Sequence, residues 1–383
     1  MGKWKILWLV GFLCLGGLIN PLKATAQENP AGIEGLEAWD LDYGEAERVL
    51  KEELELNSFD LGSYIQKIFS GEESFSLDSI WGYLKEGLVK EFEKDRNQLL
   101  RVVVIAVAAA VFTNFSNVFK SNQVADTGFY VAYLLMFSVL AASFFEISKT
   151  ASLVLESLAD FMKALAPAFF TTVTMASGAG TSLLFYQIAL VVIWLVEMVL
   201  LKLILPLIHI YFVLHLLNHL MEKDVLSKTT QILEEGVNWS LKAMLGLVAG
   251  YNFIQGIMLP AADELKRSGL MRAATAIPGV GNAIGSVAET VLGAGVLVKN
   301  AVGAGGIMAL LLLMSGPVGK LFCYMLFYRL GAALVQPVSD KRILECMSGA
   351  SVAAKLLLLT VCTGGALFLL TIAIVMSATN LRL

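Results

Sequence analysis

Three uncharged runs constrain this chain more than any other feature. Ala164 to Val196 is 33 residues without a formal charge, Asn300 to Gly319 is 20, and Leu356 to Leu381 is 26. Roughly 20 apolar residues cross a bilayer as a helix. The last three quarters of the chain, residues 98–383, therefore read as a polytopic helical membrane domain. Only 16% of all residues are charged, against about 25% in a typical soluble domain. The expected fold is all-α, with about seven to nine transmembrane or re-entrant helices.

Residues 1–26 read as a secretory signal peptide. Lys3 and Lys5 form a basic start, Ile6 to Ile19 an apolar core, and Ala24-Thr25-Ala26 a small-x-small cleavage pattern. The alternative is an uncleaved first membrane helix. In both cases Gln27 onward emerges on the non-cytoplasmic side. Residues 27–97 then form an acidic extracytoplasmic region, with 18 acidic and 7 basic residues. That bias disfavours nucleic acid as a partner. Ala38 to Leu56, Phe59 to Phe69 and Leu77 to Phe92 are helix candidates within it. They suit either a small helical docking module or a solvated spacer.

Leu99 to Phe119 and Gly128 to Phe145 are the first two apolar segments after the acidic region, joined closely enough to form a hairpin. Between Glu146 and Lys163 the charges fall at Glu146, Lys149, Glu156, Asp160 and Lys163. These intervals of three, four and seven put all five on one side of a helix. That helix either lies in the interface or extends a membrane helix. Ser177-Gly178-Ala179-Gly180-Thr181-Ser182 interrupts the longest uncharged run, as a turn or as a broken helix beside a cavity.

Four charged residues inside apolar sequence are the candidate intramembrane polar sites: Glu197, Lys202, Glu289 and Arg329. Glu197 and Lys202 meet only if the helix bends, for which Pro206 is a candidate kink. Each carboxylate either pairs structurally or lines a polar path. Lys299 offers Glu289 an opposite charge. Gly279, Gly281, Gly285, Gly293 and Gly295 are candidate helix-packing positions in a glycine-rich stretch that runs on to Gly319. The breaks around Glu289 and Lys299 suggest re-entrant helices as much as simple crossings.

No catalytic, cofactor or metal motif is present. His215 and His219 share a helix face but lack the HExxH arrangement. The stretches from Pro278 to Gly285 and from Gly316 to Lys320 match neither nucleotide-binding glycine pattern. The cysteines Cys14, Cys323, Cys346 and Cys362 form no CxxC pair. The chain is expected to need no cofactor and not to be an enzyme.

Several stretches together resemble the stage III sporulation protein AE family. They are the leader, the acidic region, Arg101 to Val107 with Phe115 to Phe119, the Phe144 to Ile147 boundary, and Pro278 to Ala283 with its glycine-rich continuation to Lys320. The resemblance spans nearly the whole chain and carries no catalytic residue onto it. It implies a multi-pass subunit of a channel-like, secretion-like complex linking mother cell and forespore, in the mother-cell-derived membrane. Implied partners are the bilayer, other membrane subunits of that complex, a separate ATPase and a forespore membrane protein. The competing expectation is an autonomous secondary transporter or permease that uses the embedded carboxylates.

Overall fold

The computed structural model describes residues 42–54, 60–70, 122–177, 179–220, 225–275, 281–337 and 341–378, with isolated helical residues between 93 and 111. The proposed leader, Leu77 to Phe92, most of Leu99 to Phe119 and Gly279 lie outside them. All regular structure among the described residues is helical. Two short helices, α1 (Gly44–Leu54) and α2 (Leu61–Ser70), precede a long-helix bundle. The bundle comprises α3 (Asn122–Ser177), α4 (Ala179–Val199), α5 (Leu205–Leu220), α6 (Ser227–Thr275), α7 (Gly281–Val335) and α8 (Lys341–Ala378).

The charged stretch from Glu146 to Lys163 extends a membrane-type helix, because α3 runs unbroken through it for 56 residues. Lys149, Glu156 and Asp160 are exposed on its outer side, while Ile147, Ala151, Leu155, Leu158 and Met162 are buried on the inner side. The run from Ala164 to Val196 folds as two antiparallel helices that separate at Ser177 and Ala179. This is the turn alternative. Phe170 stacks edge-on against Tyr186 across the hairpin, with ring centroids 5.6 Å apart.

The bend expected near Pro206 takes a specific form. Leu200–Ile204 is a π-helical turn joining α4 to α5, closed by a bond from the Leu205 N–H to the Leu200 carbonyl. Proline has no N–H to donate, so a helix adjusts its hydrogen bonding one turn earlier. The re-entrant alternative for the glycine region is not what forms. Helix α7 runs through both Glu289 and Lys299 as one 55-residue element, with Pro317 inside it. Neighbouring helices, not loops, occupy the space that Gly303, Gly305 and Gly306 leave.

Helices α7 and α8 form the centre and pack along each other, and α3 lies against both. The approach is close at particular glycines. A Cβ at Gly303 would strike Met376, one at Gly306 would strike Leu165, and one at Gly365 would strike Met314. Helix α2 seats Leu61 and Ile65 against Gly305 of α7, and Tyr64 against Met308 and Leu312. Helix α1 adds Ala46 and Leu50 to the main core. Burying a Leu or Ile side chain stabilises by roughly 1.5–3 kcal/mol, enough to hold such short helices only because a preformed surface receives them.

Four helical stretches are long and apolar enough to cross a membrane among the described residues: Thr127–Thr174, Tyr186–Leu220, Gly293–Val335 and Lys341–Met376.

Candidate functional site

The polar groups within the bundle form struts between helices. Lys163 of α3 bonds the Glu197 carboxylate of α4 at 2.8 Å and Asp160 at 3.0 Å. Glu197 is thus paired, but with Lys163 and not with Lys202, which lies exposed in the π turn. The hairpin explains the choice. Lys163 and Glu197 bracket the uncharged run, so folding that run near its middle brings its two ends together. That symmetry was available in the sequence.

A second strut joins Glu146 of α3 to Lys320 of α7 at 3.1 Å. A third is Lys299, fully buried, whose ammonium donates to the Met376 carbonyl of α8 at 2.9 Å. Glu289 lies on α7, but its side chain is outside the described residues. Arg329 is exposed on α7. None of the four sequence candidates is brought into contact with another among the described contacts.

All three histidines tie helices together. His209 of α5 hydrogen-bonds Ser148 of α3 beside the stacked rings of Phe144 and Phe212, whose centroids are 3.9 Å apart. His215 donates to the Glu345 carbonyl at 3.2 Å, and His219 meets the Glu345 carboxylate at 2.6 Å. Lys341 approaches the same carboxylate at 3.5 Å. Tyr133 donates to the Leu216 carbonyl at 2.5 Å, and Ser143 bonds Tyr328 at 2.7 Å. Tyr133, Ser143, Ser148 and Tyr328 are buried, so their contacts partner polar groups that water does not reach.

The glycine candidates divide. Gly281 and Gly285 fall in α7, where the surroundings of their residues are not described, and Gly295 is buried. Gly293 is half-buried, and a Cβ there would meet nothing within 4 Å. The close approaches fall later, at Gly303, Gly305 and Gly306, and on α8 at Gly349, Gly364 and Gly365. The pair Gly364-Gly365 inside the final apolar run was the sequence signal for the α8 contacts.

Among the described residues, no group of three or more His, Cys, Asp or Glu is placed to hold a metal. An apolar crevice between α3, α4 and α8 is lined by Met162, Leu165, Phe169, Ala189, Ile193 and Ile372. Thr371 is its polar side chain, and its hydroxyl donates to Leu367. Such a lining offers no convergent groups for acid–base chemistry. What the arrangement does is lock long helices in register.

Comparison with known proteins gives this bundle a family. The profile of the family described as Stage III sporulation protein AE matches residues 59–379. The chain belongs to the stage III sporulation protein AE family. Stage III sporulation protein AE of Bacillus subtilis (strain 168) is 20% identical over 320 residues, which cover 83% of this chain and 80% of that protein. No solved structure matches. The family match takes in α2 to α8 and every strut described above, while α1 precedes it.

Proposed function

We propose that this chain is a membrane core subunit of a sporulation-specific channel or secretion-like complex connecting mother cell and forespore. It would reside in the mother-cell-derived membrane around the forespore and support forespore development. The observation that carries this reading is the use of the polar groups. In a family named for a stage of sporulation, the bundle uses Lys163–Glu197, Glu146–Lys320 and Lys299 to fasten helices to one another. An energy source then has to come from a partner, and an ATPase subunit fits that need. A forespore membrane protein would complete the connection. In this reading residues 1–26 direct the chain to the membrane, 27–97 face the extracytoplasmic side, and 98–383 form the membrane domain with about seven to nine crossings or re-entrant segments.

The test is purification from membranes of sporulating cells in mild detergent. The chain should travel in one assembly with the ATPase subunit and the forespore membrane protein. If the chain reconstituted alone drives solute flux that Glu197→Gln abolishes, the subunit reading fails and an autonomous transporter replaces it.

A further inference from the structure

The last turns of α7 carry an apolar stripe that the rest of the described bundle leaves open. Phe322, Leu330 and Leu334 are exposed there, Leu330 by 55% and Leu334 by 63%. With Leu326 they recur every four residues, so they line one side of the helix. All four lie in the Gly293–Val335 stretch, which is long and apolar enough to cross a membrane. Arg329 is exposed beside them. Among the described residues no carboxylate forms an ion pair with it.

A protein helix is a poor cover for this side. Helices meeting inside a membrane place small residues at their contact, and this stripe presents one Phe and three Leu. Acyl chains suit such side chains, but a guanidinium does not suit hydrocarbon. Arg329 lies six residues before Val335, the last residue of α7, which is about 9 Å at ~1.5 Å per residue. Its stem can lie along the leucines while its charge rises to the interface. Other basic groups gather at that end. Residues 321–355 hold Arg329, Lys341, Arg342 and Lys355 against Asp340 and Glu345. Glu345 is already engaged by His219 at 2.6 Å and Lys341 at 3.5 Å, and the Lys341 side chain is 83% exposed. We propose that the α7–α8 end binds the phosphate groups of acidic phospholipids in the cytoplasmic leaflet, with their acyl chains laid along Phe322, Leu330 and Leu334.

The leaflet follows from the charge. Short loops rich in Lys and Arg stay on the cytoplasmic side, where anionic lipid gives the surface a negative potential that favours each basic residue. The α3–α4 turn, at the other end of α3, lies inside the run from Ala164 to Val196, which has no charge at all. The order of segments agrees. Arg342 sits over the Phe129 ring at 4.9 Å, so α3 begins at the same end as α8. With residues 27–97 outside, the one apolar segment Leu99 to Phe119 carries the chain to the cytoplasmic side before α3 starts. The proposal rests on a membrane setting and not on the channel reading.

The test uses the full chain, purified without other subunits from membranes containing phosphatidylethanolamine and phosphatidylglycerol. Native mass spectrometry should find phosphatidylglycerol enriched among the lipids it retains. Arg329→Gln and Lys341→Gln should each lower that enrichment about fivefold, and Arg329→Lys should keep it. Lys149 is exposed about 30 Å along α3 from Phe129, and Lys149→Gln should leave the enrichment unchanged. In native membranes a photo-cross-linking residue in place of Leu334 should capture phospholipid. With Cys14, Cys323, Cys346 and Cys362 replaced by alanine, Gln336→Cys should react with a membrane-impermeant maleimide only after the cells are opened. The proposal is overturned if the retained lipids show no acidic preference, or if Lys149→Gln lowers it as much as Arg329→Gln. It is equally overturned if the cross-linker at 334 captures a second copy or another protein, or if Gln336→Cys is labelled in intact cells. The purified chain carries the lipid test alone, so failure of the channel reading leaves that result standing.

Discussion

At the scale of single residues, the sequence singled out Glu197 but not its partner. Glu197 and Lys202 are five apart on one helix, and a helix brings positions three or four apart together. The partner is Lys163, on the preceding helix. The pair is partly exposed, so its coupling is expected to be modest. A double-mutant cycle on Lys163→Gln and Glu197→Gln should give about 0.2–1 kcal/mol. The same cycle on Glu197 and Lys202 should give nothing measurable. Thermal unfolding of the detergent-solubilised chain reads both. Glycines make a sharper contrast. At Gly349 a Cβ would strike the His215 ring, whose Nε2 holds the Glu345 carbonyl, so Gly349→Ala should destabilise by about 1–3 kcal/mol. Gly293→Ala meets open space within a helix and should stabilise by roughly 0.5–1 kcal/mol. Glycine spacing in the sequence could not tell these positions apart, since the difference lies in what the neighbouring helix presents.

At the scale of elements, the helices follow legible signals and their continuity does not. The intervals between Glu146 and Lys163 placed Lys149, Glu156 and Asp160 on the exposed side of α3, while Glu146 and Lys163 reach α7 and α4. Glu289 and Lys299 looked like interruptions of α7 because a charge in apolar sequence resembles a boundary. Lys299 is instead absorbed by the Met376 carbonyl of another helix. The two short helices in the acidic region were visible in the sequence, and their seat on α7 was not. That seat has a titratable start. Asp60 accepts from the Ser63 N–H at 2.9 Å, and Glu47 of α1 accepts from the Gly62 N–H at 3.1 Å. The Ser63 bond chiefly holds the Asp60 carboxyl below its ordinary value. A carboxyl lowered on folding adds stability above its unfolded pKa, roughly 3.9, and loses it as pH falls through the lower folded value. The protection of residues 61–70 against amide exchange, corrected for the intrinsic rate, should therefore fall as pH drops below about 4. Asp60→Asn keeps an acceptor for Ser63 without the titrating group, so it should flatten that dependence.

At the scale of the whole molecule, apolar runs and membrane crossings part company. Helix α3 has 56 residues, which is about 84 Å at ~1.5 Å per residue, against a hydrocarbon core of roughly 30 Å. Much of each long helix must therefore lie outside the hydrocarbon, and hydropathy alone says little about which part. Burial says more about what each helix faces. The most apolar stretch of Gly293–Val335 is 83% buried within the protein, whereas that of Thr127–Thr174 is 39% and that of Tyr186–Leu220 is 33%. Residues 301–310 of α7 are buried without exception, inside a wrap of α3, α8 and α2. The uncharged run at Asn300 to Gly319 thus has protein as its solvent, although by sequence it resembles a lipid-facing span. Leu134 and Leu135 of α3 and Val191 and Trp194 of α4 are among the described side chains that face outward. A photoactivatable hydrophobic probe dissolved in the bilayer should accordingly label α3 and the α4–α5 hairpin arm and spare residues 301–310. Strong labelling of 301–310 in the folded chain would mean that α7 is a peripheral span and that the packing of α2 against Gly305 does not hold in the membrane. Gly305→Leu supplies the control. It should expel Leu61 and Ile65 from their seat, open that side of α7, and raise labelling there while leaving the α3 pattern unchanged.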